Sequence, residues 1–187
     1  MNVIVRRGEK NDVKYVNEIV ALIEKESQVI GAGFAVRTPE YIEDKIMQGH
    51  SVIALDAVTG DLAGFIYLET WQHNKYVANS GLVVEEKYRG KGIGRRLKEK
   101  AFELTRKLFP EAKIFDLTTS LAVIKINSRL GYEPVDYSQL TTDDDFWMEC
   151  ETCMYYDVLV RTKRTNCLCE AMLFDPAKKK NKFLFFR

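Results

Sequence analysis

The sequence has no long apolar run and little excess of either charge. No stretch reaches the length of a membrane-spanning helix, and the first residues lack the apolar core and cleavage site of a signal peptide. The 28 basic and 27 acidic residues give a formal net charge of +1, so neither nucleic acid nor an anionic membrane surface is an expected partner. We therefore expect a cytoplasmic protein.

Cysteine is absent before residue 150 and then occurs four times within 20 residues. Disulfides are not expected in a reducing compartment, but four clustered thiolates could bind one structural zinc ion. The candidate ligands are Cys150, Cys153, Cys167 and Cys169. If residues 155–160 and 168–174 formed a hairpin, however, about 20 Å of strand would separate Cys153 from Cys167. The alternative is that these thiols are small buried hydrophobic side chains.

Hydrophobic periodicity predicts a mixed α/β domain, and 187 residues with 46% hydrophobic content permit one ordinary core. The predicted order is β-α-α-β-β-β-α-β-α-β. The strands are predicted at 2–6, 51–55, 62–71, 75–84, 113–118 and 132–135. The helices are predicted from a cap at Asn11 or Asp12 to about residue 27, and at 39–48, 93–109 and 122–130. Gly81 interrupts the fourth strand and predicts a β-bulge.

Residues 83–94 combine the end of an apolar strand, a glycine-rich loop and the start of a helix. The first amides of a helix have no partner inside it, and the helix adds about half a positive charge there. Such an end binds phosphate, and glycines at 90, 92 and 94 let the backbone approach the ligand closely. Four cationic side chains surround the loop: Arg89, Lys91, Arg95 and Arg96.

Two other phosphate loops are alternatives at this point. A P-loop requires Gly-Lys-Ser/Thr, which the sequence lacks. A Rossmann loop would lie near the start of its βαβ unit, with an acidic residue about 20 residues further on. Asp116 lies at such a distance, but this loop comes in the middle of the chain and Arg89 would have no role.

Residues 88–94, with the sequence Tyr-Arg-Gly-Lys-Gly-Ile-Gly, resemble the pyrophosphate-binding motif of GNAT (GCN5-related) N-acetyltransferases. Arg89, Gly92 and Gly94 match the family pattern Arg/Gln-x-x-Gly-x-Gly/Ala. The resemblance implies an acyl-CoA cofactor, acetyl-CoA, whose diphosphate lies on these amides. The cofactor-binding residues that we expect on this basis are Leu82, Val83, Val84, Arg89, Gly90, Lys91, Gly92, Ile93, Gly94, Arg95 and Asn127.

The resemblance also implies an α/β (α+β) GNAT fold over residues 1–136. That fold has a mixed, mostly antiparallel sheet flanked by helices, and its middle strands splay apart to admit the pantetheine arm. Residues 137–187 do not fit the family pattern closely. We expect them to form a C-terminal extension, with the four cysteines, that packs on the same domain.

Acyl transfer to an amine needs a base, and an N–H donor for the tetrahedral oxyanion. The bulged strand near Leu82 or Val84 could supply the donor. Glu69 is our first choice for the base, because aromatic neighbours on its strand face predict a partly desolvated carboxylate with a raised pKa. The alternative bases are Glu85, Asp116 and His73.

The leaving thiolate also benefits from a nearby proton donor. Many GNAT proteins carry a tyrosine for this role before a Leu-Gly-Tyr/Phe segment, and alignment on residues 130–132 puts Asn127 at that position. Asn127 can donate an N–H to sulfur but cannot give up a proton. Ser128 is a weaker alternative donor, and the other interpretation of Asn127 is an amide on the helix surface.

In this family the loop between the first two helices usually shapes the acceptor pocket, and here it spans residues 28–37. Arg37 could hold a substrate carboxylate through two hydrogen bonds, with Lys125 and Arg129 facing the same cleft. The alternative is that Arg37 is a surface cation. Residues 37–42 and 117–123 also resemble a small bacterial GNAT group found beside arginine-biosynthesis genes, which suggests glutamate or a related amino acid.

We therefore predict an acetyl-CoA-dependent N-acetyltransferase that acts on a small amine. The alternative activity is acetylation of a protein lysine or N-terminus, and the alternative class is a non-catalytic CoA-binding module.

Residues 178–187 are basic and then aromatic. They could dock on the core, join two copies into a homodimer or contact a membrane, and docking is favoured.

Overall fold

The computed structural model of the chain describes residues 2–30 and 37–178. Seven strands form one sheet: β1 Val3–Arg7, β2 Ser51–Asp56, β3 Leu62–Trp71, β4 Tyr76–Val84, β5 Lys113–Thr118, β6 Glu133–Pro134 and β7 Glu170–Phe174. Six α-helices accompany them in the described residues: α1 Val16–Ile30, α2 Pro39–Met47, α3 Ile93–Leu108, α4 Leu121–Leu130, α5 Asp144–Met148 and α6 Tyr156–Arg161.

The predicted order of elements from β1 to β6 is confirmed, and most boundaries agree within two residues. The main difference lies before α1, where a 3-10 turn over Lys10–Tyr15 delays the start of the helix. Thr38 caps α2 as predicted, because its side chain accepts a hydrogen bond from the Tyr41 amide. The predicted acceptor loop lies largely outside the described residues, and so does the basic and aromatic end of the chain.

Both faces of the sheet are covered, as alternate residues of β3 show. Ile66 and Leu68 pack in one cluster with Leu97 of α3, whereas Phe65 and Tyr67 pack in another cluster with residues of α1 and α2. A strand buried on both faces is apolar along its whole length rather than at every second residue. The apolar run of β3 therefore reflects its central position in the sheet.

The sheet opens between β4 and β5. The strand order is β1-β2-β3-β4-β5-β7-β6, and β4 with β5 is the parallel pair. Their pairing joins Tyr76, Val77 and Ala78 to 113–115, and no described pairing joins the strands beyond that point. The splayed middle strands that the family resemblance implied are therefore present.

A β-bulge in β4 lies beside this opening. Phe65 pairs with Val83 and Tyr67 pairs with Ser80, so Gly81 and Leu82 together face one residue of β3. Gly81 has φ +65°, and a Cβ at this position would lie 2.1 Å from Cε1 of Tyr67. Glycine is required here both by the backbone conformation and by the ring packed against it.

We expect Gly81→Ala to lower the free energy of unfolding by about 3 kcal/mol, because a left-handed backbone strain of 1–2 kcal/mol adds to the overlap with the Tyr67 ring. Gly60→Ala is the matched control. Gly60 has φ +75°, but its Cβ would meet only the Tyr15 hydroxyl at 3.9 Å. Urea unfolding of both variants measures the difference. Equal losses in the two variants would show that the ring contact contributes nothing.

The C-terminal segment completes the sheet. β7 pairs antiparallel with β5 on one side and with β6 on the other. Phe146, Trp147 and Leu159 pack with Phe115 of β5 in a third apolar cluster. The hairpin considered for residues 155–160 and 168–174 does not form, because Tyr156–Arg161 is a helix.

Candidate active site

The loop before α3 has the geometry of an anion site. Gly92 is the N-cap of α3 in the left-handed conformation with φ +76°, and no side chain caps this helix end. A Cβ at Gly90 or Gly92 would have nothing within 4 Å, so the backbone of the loop is open to a ligand. First-turn amides and the helix dipole both favour a phosphate here. These residues therefore fit the diphosphate of an acyl-CoA.

The cationic side chains near the loop make contacts within the protein. Arg89 donates from Nε to the Val84 carbonyl at 3.0 Å and forms an ion pair with Glu26. Arg96 donates to the Val3 carbonyl at 2.8 Å. Arg95 is half-exposed and lies 3.7 Å from Glu99. Arg89 therefore ties the loop to α1 and to the end of β4, and its predicted contact with the cofactor stays a prediction.

A cleft of about 330 Å³ occupies the opening between β4 and β5. One wall consists of residues 79–82 of β4, and the other consists of residues 116–118 of β5. Lys98 of α3 also lines the cleft. The C-terminal segment adds Phe146, Glu149 and three of the cysteines. Residues from the part of the chain that resembles the family thus form the cleft together with residues of the C-terminal segment, which does not fit the family pattern.

Arg37 lies at one end of this cleft and is almost completely surrounded. Its Nε donates to the Tyr67 hydroxyl at 2.6 Å, and its Nη2 donates to Glu69 Oε1 at 3.2 Å and to Glu149 Oε2 at 2.8 Å. Its side chain is 9% exposed. Burial opposes the charge, but Tyr67 and the two carboxylates outweigh it and raise the pKa of Arg37. The alternative interpretation of Arg37 as a surface cation is therefore wrong.

Glu69 is buried behind Arg37. Its Oε1 accepts hydrogen bonds from Arg37 and from the Tyr41 hydroxyl, and burial followed by the Glu69 charge raises the pKa of Tyr41. Tyr41 therefore stays a neutral donor to this carboxylate. Glu69 Oε2 is buried and has no hydrogen-bond partner among the described residues. Glu69 does not line the cleft itself.

Glu149 is a cleft residue that the sequence patterns did not indicate. Its side chain is 25% exposed, and burial together with the Glu69 charge raises its pKa above the ordinary value of 4.5. It begins a 3-10 turn, Glu149–Thr152, directly after α5. No local motif marks it, because only the fold of the C-terminal segment against the sheet brings it to Arg37.

The other candidate bases lie in less suitable surroundings. His73 is exposed in the turn between β3 and β4. Glu85 lies 4.0 Å from Lys25 near the glycine loop. Asp116 lines the cleft, but its Oδ2 accepts from Lys98 Nζ at 2.6 Å and from Asn127 Nδ2 at 2.7 Å. Both contacts are to the same carboxylate oxygen, so Asp116 is already engaged by two partners within the protein.

Asn127 is fully buried, so its interpretation as a surface amide is wrong. Its side-chain nitrogen contacts Asp116, and it is absent from the residues that line the cleft. Ser128 is exposed and donates to the Ile124 carbonyl. Lys125 and Arg129 are exposed and do not line the cleft either. A direct contact between Asn127 and the cofactor sulfur stays a prediction.

The zinc site predicted at Cys150, Cys153, Cys167 and Cys169 is not supported. Within residues 2–30 and 37–178, no group of three or more His, Cys, Asp or Glu side chains is arranged to hold a metal ion. Burial raises the pKa of the Cys150 and Cys169 thiols to about 12, which disfavours the thiolate. Cys153 and Cys167 contact the backbone of Tyr155 instead. All four are half-buried free thiols.

None of the described helices combines the length and the apolar character that crossing a membrane requires.

A glycine loop at a helix N-terminus lies beside a split between two parallel strands, which is the arrangement expected of a site that binds an acyl-CoA. The family model described as the acetyltransferase (GNAT) family matches residues 16–131, which is more than half of the chain. The chain therefore belongs to the GNAT family of acetyltransferases. No curated protein matches the chain significantly.

Solved structures with the same fold include complexes with CoA or acetyl-CoA. N-acetylglutamate synthase from Neisseria gonorrhoeae, in complex with coenzyme A and N-acetyl-glutamate, is 19% identical with a TM-score of 0.65. The match covers 94% of this chain and 35% of that one, so this chain spans about a third of the synthase chain.

The protein yncA from Salmonella typhimurium, with its cofactor acetyl-CoA, is 16% identical with a TM-score of 0.59, and the match covers 94% of this chain and 95% of that one. The NatC complex bound to Gag peptide and CoA contains a chain that is 14% identical with a TM-score of 0.62. That match covers 94% of this chain and 99% of that one. At identities this low, the matches show a common fold and nothing further.

Proposed function

We propose that the chain transfers the acetyl group of acetyl-CoA to the amine of a small molecule. The observation that carries this proposal is the carboxylate pair, Glu69 and Glu149, which Arg37 holds at the cleft between β4 and β5. The glycine loop that fits a diphosphate follows directly from β4, the strand that forms one wall of the same cleft. One site can thus hold the cofactor and a base together.

The amides of Gly92, Ile93 and Gly94 would hold the diphosphate, and the backbone of Leu82, Val83 and Val84 would run beside the pantetheine arm. The diphosphate end of the cofactor would also contact the neighbouring residues of the loop, which are Arg89, Gly90, Lys91 and Arg95. Bound acetyl-CoA supplies an activated acetyl thioester. The chain's own task is to orient that group, to exclude water and to take a proton from the amine.

Glu149 is the member of the carboxylate pair that is better placed to take this proton. It lines the cleft, its raised pKa makes it a stronger base than an ordinary glutamate, and its second oxygen is not bound to Arg37. Glu69, the base expected from the sequence, would act beside it, because its charge helps to raise the pKa of Glu149. A neutral amine is needed for attack, and at pH 7 only about one lysine-like amine in 2,500 is neutral.

The net charge of the cluster formed by Arg37, Glu69 and Glu149 affects which acceptor the site favours. One guanidinium faces two carboxylates, so the cluster carries about one net negative charge, which favours an acceptor with a cationic group near its amine. Glutamate, suggested by the sequence resemblance, would require Arg37 to exchange Glu149 for the substrate's carboxylate. The volume of the cleft suits a small molecule. Residues of α5 and of the turn after it line the cleft together with Arg37.

An assay of free-thiol release tests the proposal. Acetyl-CoA is mixed with the protein and one acceptor from a panel: glutamate, glutamine, lysine, a simple alkylamine, or a peptide with a free N-terminus. We expect turnover with at least one small amine, and faster turnover with lysine or the alkylamine than with glutamate. Turnover with the peptide alone would favour protein acetylation. Binding of CoA without release of thiol for any acceptor would indicate the non-catalytic module.

A further inference from the structure

Lys98 is a buried cation in the wall of the cleft that the reaction proposed above does not use. Its side chain is 1% exposed, although lysine is almost never fully buried without a partner. It lies one helical turn after Gly94 on α3, where the strands β4 and β5 have separated. Lys98 lines the cleft, which a pantetheine arm that runs from the loop along β4 would enter.

The contacts of Lys98 fix the position of its ammonium group. Nζ lies 2.6 Å from Asp116 Oδ2 of β5 and donates to the Asn79 carbonyl of β4 at 3.3 Å. It therefore bridges the two strands at the point where they part. An ammonium group has three N–H donors, and these two contacts use two of them.

A residue of α4, Asn127, holds Asp116 in position. Asn127 Nδ2 donates to Asp116 Oδ2 at 2.7 Å, and the Asn79 side chain accepts from Thr105 and donates to the Tyr132 hydroxyl. The charged and titratable groups nearest to Lys98 are thus Asp116 from β5, Tyr132 from the segment after α4, and Cys169, whose thiol lines the same cleft and interacts with Asp116. Burial and the Asp116 charge raise the pKa of Tyr132, so this phenol stays neutral.

The position of Asn127 gives this network a functional meaning. Many family members carry a tyrosine there that serves the leaving thiolate, and an asparagine cannot give up a proton. In this chain the same helix position instead orients a carboxylate that fixes a lysine. A cation near a sulfur that gains negative charge stabilises it without transferring a proton.

We propose that the Lys98 ammonium stabilises the CoA thiolate as it leaves, with Asp116 and Asn127 as positioning residues. This rests on the proposed acyltransferase function. The bond between the acyl carbon and sulfur breaks with its electron pair on sulfur, and a bond between the carbon and the amine nitrogen forms. The amine's proton passes to Glu149, and Lys98 keeps its own protons and its charge.

The pKa of the CoA thiol in the bound complex tests this role independently of turnover. The thiolate absorbs in the ultraviolet, and the difference spectrum between complexes with CoA and with desulfo-CoA removes the signals of the protein's own thiols and phenols. We expect the pKa of the bound thiol to lie at least about one unit below the pKa of the thiol in free CoA, measured in the same buffer. Lys98→Met should return the thiol to that value or above and lower kcat about 100-fold.

Three further variants separate this role from a structural one. Lys98→Arg keeps the charge and should keep a lowered thiol pKa. Lys98→Met with Asp116→Asn removes both charges, so that a stable fold is retained without a buried unpaired carboxylate, and it should still lack the shift. Lys100→Met is the matched control, because Lys100 is half-exposed on the same helix and pairs only with Glu103 in the described contacts.

The outcomes distinguish this proposal from the function on which it rests. If calorimetry detects no CoA binding by the wild-type protein, the acyltransferase function itself fails. If CoA binds and thiol is released in the assay, but the bound thiol titrates like free CoA, the role of Lys98 alone is overturned. A loss of stability in Lys98→Met without any change in the thiol pKa would likewise reduce Lys98 to a structural ion pair.

Discussion

Gly94→Glu is expected to weaken CoA binding at least 100-fold, which corresponds to about 2.8 kcal/mol. The new carboxylate would lie in the first turn of α3, and one unit charge at about 6 Å from another costs roughly 2.8 kcal/mol at an effective dielectric constant of 20. The site has room for the side chain, because a Cβ there meets only Val84 Cγ2 at 3.7 Å. Isothermal titration calorimetry with CoA measures the change.

The same substitution should not destabilise the fold. An acidic residue in the first turn gains about 0.3–1 kcal/mol from the helix dipole, and replacing glycine within a helix gains up to about 1 kcal/mol. Stability and affinity are thus expected to change in opposite directions. Gly94→Gln is the matched control without the charge and should lose much less affinity. Unchanged CoA binding by Gly94→Glu would place the diphosphate away from this helix end.

Glu149→Gln is expected to lower kcat/KM by about 100- to 1,000-fold, the usual contribution of a general base. The amide keeps the size of the side chain and an oxygen for Arg37, so CoA affinity should remain within about twofold of the wild type. Steady-state kinetics with the best acceptor from the panel measures the first quantity, and calorimetry measures the second. The matched control is Glu151→Gln, an exposed residue of the same turn.

The pH profile gives this prediction a second readout. Only the carboxylate form of Glu149 can accept a proton, and burial with the Glu69 charge raises its pKa above 4.5. Activity of the wild type should therefore fall as the pH decreases through this raised pKa, and Glu149→Gln should have low activity without that limb. If Glu69→Gln removes the limb and Glu149→Gln does not, Glu69 is the base.

The elements around the cofactor could be predicted from the sequence because their signals are local. The glycine loop, the apolar face of α3 and the Gly81 bulge each depend on a few neighbouring residues. The family resemblance then supplied the arrangement of the sheet. Helix α1 begins later than predicted because the 3-10 turn before it contains the same apolar spacing.

The polar groups of the cleft could not be predicted in this way. Glu149 reaches Arg37 across 112 positions of sequence, and Lys98 reaches Asp116 only because α3 packs on the split sheet. Burial of such charges depends on tertiary contacts that no short pattern records. The cysteine spacing was misleading for a similar reason, because Cys153 and Cys167 contact the Tyr155 backbone, and burial raises the pKa of the Cys150 and Cys169 thiols.

Several expectations remain predictions. These are the division into residues 1–136 and 137–187, the cytoplasmic location and the homodimer, whereas glutamate as the acceptor is an expectation that the charge of the Arg37, Glu69 and Glu149 cluster disfavours. β7 belongs to the same sheet as the strands of the first segment, which supports packing of the extension on one domain.

The most direct test of the account follows the backbone amides of the glycine loop by NMR while CoA is added to the full-length protein. If the diphosphate lies at the start of α3, the signals of Gly92, Ile93 and Gly94 should shift most, together with signals from residues 79–84 along the cleft. Pantetheine, which lacks the diphosphate, should shift the cleft signals and leave those of the loop unchanged. CoA binding that leaves the three loop amides unchanged would contradict the account.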